Sequence, residues 1–142
     1  MIVLLVRHAR AGDREAWEGD DRLRPLDEKG WKQAGGLVEL LADYPIERLF
    51  SSPYLRCTQT FDALASAREL EIEEAEELAE GSTGEDVLRL LGSVESGQVA
   101  ICTHGDVVVE LIEATLKKGA VEMLELEDGQ VRRVRDLGRA HV

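Results

Sequence analysis

The chain opens with a short run of apolar residues, 1–6, that ends directly on Arg7 and His8. Continuous apolar runs of this length, without polar alternation, are typical of strands that are covered on both faces. Burial on both faces requires a layer of helices on each side of the sheet, which restricts the chain to α/β architectures. Packing alone does not require an arginine and a histidine at the end of such a strand.

Strand and helix patterns alternate along the rest of the chain. Glu127, Asp128 and Gly129 separate the last two strand patterns and indicate a hairpin. We predict a three-layer α/β/α sandwich with a mostly parallel central sheet and this hairpin at one edge. The predicted strands cover residues 1–6, 46–50, 71–75, 98–102, 121–126 and 130–134.

The predicted helices begin at recognisable capping residues. Asp27 is placed to cap the first, and Ser52 with Pro53 at the first turn is placed to begin the second. Residues 82–86 contain overlapping capping boxes before a further helix. We expect the last helix to start after His104 and run to about residue 118, with Gly119 as its C-terminal cap. The inner face of the first helix is predicted to carry Trp31, Ala34, Val38 and Leu41.

Composition narrows the partners and the compartment. The 142 residues carry a formal net charge of −12 and fit one domain over 1–142. That charge makes nucleic acid an unfavourable partner, and no apolar run is long enough to span a membrane. Met1 leads directly into a strand pattern, which leaves no room for a signal peptide, so we expect a cytoplasmic protein. Its cysteines, Cys57 and Cys102, are then expected to be reduced and structural.

Polar side chains follow three of the predicted strands at their carboxyl ends. In an open parallel sheet, ligands bind outside these ends, so we expect the polar groups to share one site. Arg56, one turn into its helix, and the amide of Gly105 at a helix start belong to the same edge. The residues at the strand ends are Arg7 and His8, Ser51 and Ser52, and Thr103 and His104.

The chemistry of this set suits a phosphoryl group. A guanidinium binds phosphoryl oxygens through charge-assisted hydrogen bonds, and an imidazole can act as a nucleophile or a base. Two arginines and two histidines therefore favour attack on phosphorus within a fixed cationic site. A metal site is disfavoured, because the arginines would repel a cation and no ligand motif fits the spacing of His8, His104, Cys57 and Cys102.

Several segments resemble the histidine phosphatase superfamily, which includes phosphoglycerate mutases. Residues 5–12, LVRHARAG, resemble the opening Arg-His-Gly motif, with Ala9 in place of the glycine. Residues 51–60, SSPYLRCTQT, match S-S-P-x-x-R-x-x-Q-T almost fully, and residues 103–105 resemble the second histidine motif. Residues 26–34 resemble a further segment, PL-(S/T)-x-x-G-x-x-Q-A. The resemblance implies a phosphoglycerate mutase-like fold.

The resemblance also implies a role for each matching residue. His8 would accept the phosphoryl group, and Arg7, Arg56 and His104 would bind its oxygens, with no cofactor. The family often supplies a glutamate as proton donor after its third strand. Glu77 and Glu80 both precede the turn at Ser82, and spacing does not separate them. Both also fit solvated surface carboxylates.

The sequence leaves the substrate class open. The short chain resembles the small bacterial phosphohistidine phosphatases, which implies a phosphorylated protein as partner. A small-molecule phosphatase acting on a sugar phosphate or nucleotide is the alternative, with specificity groups from the long charged loop at 9–26. The loop arginines that could bind a second phosphate are Arg10, Arg14, Arg22 and Arg24. A phosphate-binding module without catalysis is a further alternative.

Overall fold

The apolar run at the start of the chain lies inside a six-stranded sheet. The computed structural model describes residues 1–95 and 97–141. The strand order is β3-β2-β4-β1-β5-β6, and β1 to β4 are parallel where they pair. The antiparallel β5–β6 hairpin lies at one edge, which confirms its predicted place. The strands are β1 (Ile2–Arg7), β2 (Ile46–Ser51), β3 (Ile72–Glu74), β4 (Gln98–Thr103), β5 (Val121–Glu127) and β6 (Gln130–Gly138).

Helices cover both faces of this sheet. Alternate residues of β1 enter different apolar clusters, with Leu4 packed among residues of the first three helices and Leu5 among residues of the last two. Both leucines are fully buried. The three-layer α/β/α sandwich is therefore confirmed. The helices are α1 (Glu28–Leu40), α2 (Leu55–Thr60), α3 (Asp62–Arg68), α4 (Gly84–Gly92) and α5 (Gly105–Ile112).

Helix α1 begins where its cap predicts, and part of its predicted inner face is buried, but not all of it. The Asp27 carboxylate accepts a hydrogen bond from the Gly30 amide at 2.8 Å. The prediction that Trp31 faces the core is wrong, because that residue is 42% exposed, whereas Leu37 is buried. A Cβ on Gly30 would lie 1.9 Å from the Arg10 carbonyl oxygen, so the helix packs its glycine against the loop. This close approach leaves no room for a side chain at Gly30.

The second predicted helix starts later than expected and is split in two. Ser52 does not cap it: the N-cap is Tyr54, and the Ser52 hydroxyl oxygen instead accepts the Tyr54 amide at 3.2 Å. The break between α2 and α3 falls at Phe61, which is fully buried. Ser52 is thereby left beside the end of its strand, where its hydroxyl also contacts His104.

The prediction that the last helix runs to residue 118 is also wrong. Helix α5 ends at Ile112, and Glu113 adopts a left-handed conformation with φ 54°. The chain then returns to the end of β1, where the Gly119 amide donates to the Arg7 and His8 carbonyls at 3.0 and 3.1 Å. Gly119 has φ +82°, so the glycine serves this turn and does not cap the helix. The segment fixes the backbone that carries Arg7 and His8.

The remaining sequence predictions concern membrane-spanning helices, the cysteines, the compartment and the number of domains. No helix in the described residues is long and apolar enough to cross a bilayer. Cys57 and Cys102 are both buried and free, in line with structural thiols. The cytoplasmic compartment and the single domain over 1–142 stay predictions.

Candidate active site

The carboxyl ends of the parallel strands meet at a cleft of about 340 Å³. His8 directly follows β1 and His104 directly follows β4, and both line the cleft, so the two segments converge at one sheet edge as predicted. Arginine, histidine and carboxylate groups thus share one open depression. The residues that line it are Arg7, His8, Arg14, Glu80, His104, Gly105, Asp106, Val109 and Thr115.

The His8 ring is fixed with one nitrogen left available. Its side chain is buried, and Nδ1 lies 2.8 Å from the Ala9 carbonyl oxygen. Because a carbonyl only accepts, Nδ1 carries the proton and Nε2 keeps its lone pair. Burial lowers the pKa of His8 to about 3, and the nearby positive charges of Arg56 and Arg7 add to this effect. The ring is therefore neutral near pH 7, as a nucleophile must be.

Ala9 occupies the position where the motif has a glycine. The residue is buried, and its amide donates to the Thr60 hydroxyl at 3.0 Å. Ala9 is not among the residues with positive φ, so the backbone here does not require glycine. The departure from the motif is sterically accommodated.

The His104 ring is oriented by Ser52. Its Nε2 lies 2.8 Å from the Ser52 hydroxyl, which accepts the Tyr54 amide and has its own proton to donate to that nitrogen. With the hydroxyl as donor, the ring proton lies on Nδ1. The His8 and His104 rings meet edge to face with centroids 5.3 Å apart. The Cys57 sulfur also lies 3.6 Å from His104 Nε2.

The two arginines are anchored through their terminal nitrogens. Arg7 donates from Nη1 to the Leu116 carbonyl at 2.7 Å. Arg56 is fully buried and donates from Nη1 to the Asp21 carbonyl at 2.8 Å and from Nη2 to the Asp21 carboxylate at 3.0 Å. Its guanidinium also lies over the Tyr54 ring at 4.8 Å. Neither Nε takes part in these contacts.

Unpartnered buried donors concentrate at this site. In the described part of the chain, the buried side-chain polar atoms without a hydrogen-bond partner are Arg7 Nε, Arg56 Nε, His104 Nδ1 and Gln98 Oε1. Gln98 lies at the other end of β4, whereas the three donors belong to residues around His8, and we call them the phosphoryl clamp. Leaving a buried donor unpaired costs about 1–3 kcal/mol, so three together indicate a ligand rich in acceptor oxygens. A tetrahedral oxyanion has that chemistry.

Gly105 makes room for this arrangement. A Cβ at Gly105 would lie 2.9 Å from Arg7 Cζ, so a larger residue would displace the guanidinium. The glycine is also the first residue of α5, whose free amides and dipole favour a negative charge. Both features fit its predicted place in a phosphate site.

The structure separates the two glutamates that the sequence left open. Glu80 lines the cleft, where Oε1 accepts from Arg14 at 2.5 Å and Oε2 lies 3.7 Å from Arg56 Nη2. Glu77 lies on a 3-10 turn, Glu76–Leu78, and is not among the residues that line the cleft. Of the two, only Glu80 is therefore placed to exchange a proton with a ligand in the cleft.

Two aspartates have roles that the sequence analysis missed. Asp21 binds Arg56 as described, and although burial opposes it, hydrogen bonds from Arg24 and Arg56 keep the pKa of Asp21 below its ordinary value. Nothing in the acidic loop distinguishes Asp21 from its neighbours in sequence. Asp106 accepts the Gly81 amide at 2.8 Å, next to Glu80, and so ties the start of α5 to the segment that carries this glutamate.

Positive charge beside His8 comes from arginine side chains. The described residues contain no group of three or more histidine, cysteine, aspartate or glutamate side chains placed to hold a metal ion. Arg7 and Arg56 both act on the His8 ring through their charge, and each leaves one buried donor unpaired. Arg7 lines the cleft, whereas Arg56 is fully buried and is not among the lining residues. Guanidiniums are suited to neutralising a phosphoryl dianion.

Comparison with protein families gives a direct match. The family model of the histidine phosphatase superfamily (branch 1) matches residues 3–89. The 8-oxo-(d)GTP phosphatase of Mycolicibacterium smegmatis is 34% identical over 148 residues, covering 91% of this chain and 45% of that protein. The chain thus spans less than half the length of this curated relative.

Solved structures share the fold over nearly the whole chain. The protein histidine phosphatase SixA, complexed with tungstate, has a TM-score of 0.80 at 22% identity, covering 97% of each chain. The alpha-ribazole phosphatase of Shigella flexneri has a TM-score of 0.78 at 16% identity, covering 97% of this chain and 96% of that one. At sequence identities of 22% and 16%, this structural similarity establishes the shared fold alone.

Proposed function

The chain belongs to the histidine phosphatase superfamily (branch 1), and we propose that it is a metal-independent phosphatase that works through a phosphohistidine on His8. The observation that carries the proposal is the phosphoryl clamp around a neutral imidazole. A phosphoryl group placed among these donors would satisfy each of them and meet the free Nε2 of His8. The same charges would stabilise the transition state as negative charge shifts between oxygens.

In the first step, His8 Nε2 attacks phosphorus and forms a P–N bond. The bond from phosphorus to the leaving oxygen breaks, and the leaving group takes its electron pair. Arg7, Arg56 and His104 hold the remaining phosphoryl oxygens throughout. A proton from Glu80 completes an alcohol leaving group, whereas a leaving group that is stable as an anion needs none.

In the second step, water attacks phosphorus and the P–N bond breaks. The electron pair returns to His8 Nε2, and the water proton passes to the Glu80 carboxylate. Inorganic phosphate then leaves and the three donors of the clamp are again unpaired. With an alcohol leaving group, Glu80 therefore serves as acid and then as base, which restores the starting state after one turnover.

A generic substrate tests this proposal. We expect an aryl phosphate to be hydrolysed, with activity retained in excess EDTA, because the charge neutralisation comes from arginine side chains. The measurement is phosphate release by the purified chain with and without the chelator. Loss of activity in EDTA would contradict the metal-independent mechanism, and phosphate binding with no turnover of any phosphorylated compound would favour a binding module.

Exchange of each glutamate for glutamine tests the proton donor. We expect Glu80→Gln to lower kcat for an alkyl phosphate by about 100-fold, because general acid catalysis contributes on that order. The matched Glu77→Gln variant should retain activity, since Glu77 is not in the cleft lining. Equal effects of the two substitutions would remove Glu80 from the mechanism.

A phosphorylated protein is one substrate class that fits the site. The cleft is an open depression, which suits a phosphohistidine presented on a protein surface. A phosphoramidate also demands little of Glu80 as an acid. The second ring nitrogen of the leaving imidazole can take a proton from solvent, and the protonated imidazole leaves readily. The test is release of phosphate from a phosphohistidine peptide.

A nucleotide is the second class. It is supported by the 34% identity to the 8-oxo-(d)GTP phosphatase, and by a loop at 9–26 that brings an arginine to the cleft. Parallel assays with nucleoside diphosphates and phosphohistidine peptide separate the two classes. A kcat/KM at least about tenfold higher for one class would identify the preferred substrate.

A further inference from the structure

The structure separates the four arginines of the loop at 9–26 by where their side chains lie. Arg10 and Arg22 each pair at 2.9 Å with a carboxylate away from the cleft, and Arg24 is buried. Of these four, Arg14 alone is among the residues that line the cleft. A substrate group next to the phosphoryl site can therefore meet this one loop arginine.

Arg14 reaches across the cleft and keeps most of its donors available. Its Nη2 bonds Glu80 at 2.5 Å and lies 3.9 Å from the Asp21 carboxylate. Its side chain is 58% exposed, and within the described residues it donates no other hydrogen bond. A guanidinium has five N–H donors, so Arg14 can bind a further anion while it stays bonded to Glu80.

An ion pair this exposed contributes little to folding. The position of Arg14 is better explained by the substrate, since it lies over the cleft that holds the nucleophile. On the basis of the proposed function, we infer that Arg14 is a specificity-determining residue that binds a second phosphate directly beyond the scissile bond. The substrate class is then a small-molecule phosphoanhydride, such as a nucleoside diphosphate.

The chemistry of that leaving group agrees with the contacts of Glu80. His8 Nε2 bonds to the terminal phosphorus, the bridging P–O bond breaks, and the electron pair leaves on the second phosphate. This phosphate is stable as an anion and needs no proton in the first step. Glu80 can therefore stay hydrogen-bonded to Arg14 as a carboxylate while Arg14 holds the leaving phosphate. It later accepts the proton from the attacking water and releases that proton to solvent at the end of the turnover.

The experiment compares Arg14→Gln with Arg22→Gln, a loop variant whose arginine pairs with Glu76 outside the cleft. Each protein is assayed with a nucleoside diphosphate and with an aryl phosphate. Because Arg14 also contacts Glu80, the decisive quantity is the ratio of the two kcat/KM values. We expect Arg14→Gln to lower kcat/KM for the diphosphate at least about tenfold more than kcat/KM for the aryl phosphate, mainly through KM. Arg22→Gln should leave both values unchanged.

Binding gives a readout that does not depend on turnover. Calorimetry should show inorganic pyrophosphate binding more tightly than inorganic phosphate, with the difference lost in Arg14→Gln. An unchanged preference in that variant, or a loss confined to phosphohistidine peptides with acidic flanks, would overturn the inference. A wild-type chain that binds pyrophosphate but turns over no phosphate compound would overturn the proposed function and leave the role of Arg14 supported.

Discussion

Replacement of His8 by alanine is expected to lower kcat for an aryl phosphate by roughly ten-thousandfold or more, the scale seen when a catalytic nucleophile is removed. The reason is geometric: Nε2 is the ring nitrogen that the Ala9 contact leaves free. The phosphoryl clamp is built from other side chains, so phosphate binding should survive. The measurement is steady-state phosphate release, with binding followed separately by calorimetry.

The third histidine provides a matched control. His141 lies outside the cleft lining, so His141→Ala should behave as the unmodified protein. Rapid quenching with radiolabelled substrate should trap an acid-labile phosphoprotein in the wild type and none in His8→Ala. Hydrolysis that survives in His8→Ala would contradict the covalent mechanism.

The convergence of polar side chains at the strand ends could be predicted from the sequence, because only a few physical rules determine it. An apolar run of the length of β1 must be buried on both faces, and parallel strands place their carboxyl ends at one edge. This rule alone places Arg7, His8 and His104 at the same edge. The helix predicted to follow the second strand added Arg56 to the same edge, and this residue lies in α2 in the structure.

Tertiary contacts decide the features that the sequence does not reveal. In α1, Gly30 packs closely against the Arg10 carbonyl and Trp31 is exposed, and helical periodicity alone indicates neither feature. The early end of α5 accompanies the return of the chain to bind the end of β1. Asp21 and Glu80 lie in acidic stretches, so residue type does not distinguish them from the neighbouring acidic residues. Their contacts do, because Asp21 pairs with the buried Arg56 and Glu80 pairs with Arg14 of the loop.

Exchange of Arg56 for lysine is expected to lower kcat/KM by about 100- to 1,000-fold, as for loss of a preorganised donor to a transition-state oxyanion. Lysine keeps the charge but not the planar fork, which here bonds Asp21 through its Nη atoms and leaves Nε free. Affinity for vanadate or tungstate should fall in parallel. A lysine variant with full activity would contradict the clamp.

Two further variants separate the clamp from the stability of the fold. Arg68→Lys is a matched control, because Arg68 also bonds backbone carbonyls, those of Tyr44 and Leu41, but has no atom among the unpartnered buried donors of the described residues. It should change thermal stability without a selective loss of oxyanion affinity. Asp21→Asn keeps Arg56 and removes the carboxylate charge that holds it. If Asp21 acts by positioning the guanidinium, this variant should lose oxyanion affinity while remaining folded, whereas unchanged affinity would show that burial alone fixes Arg56.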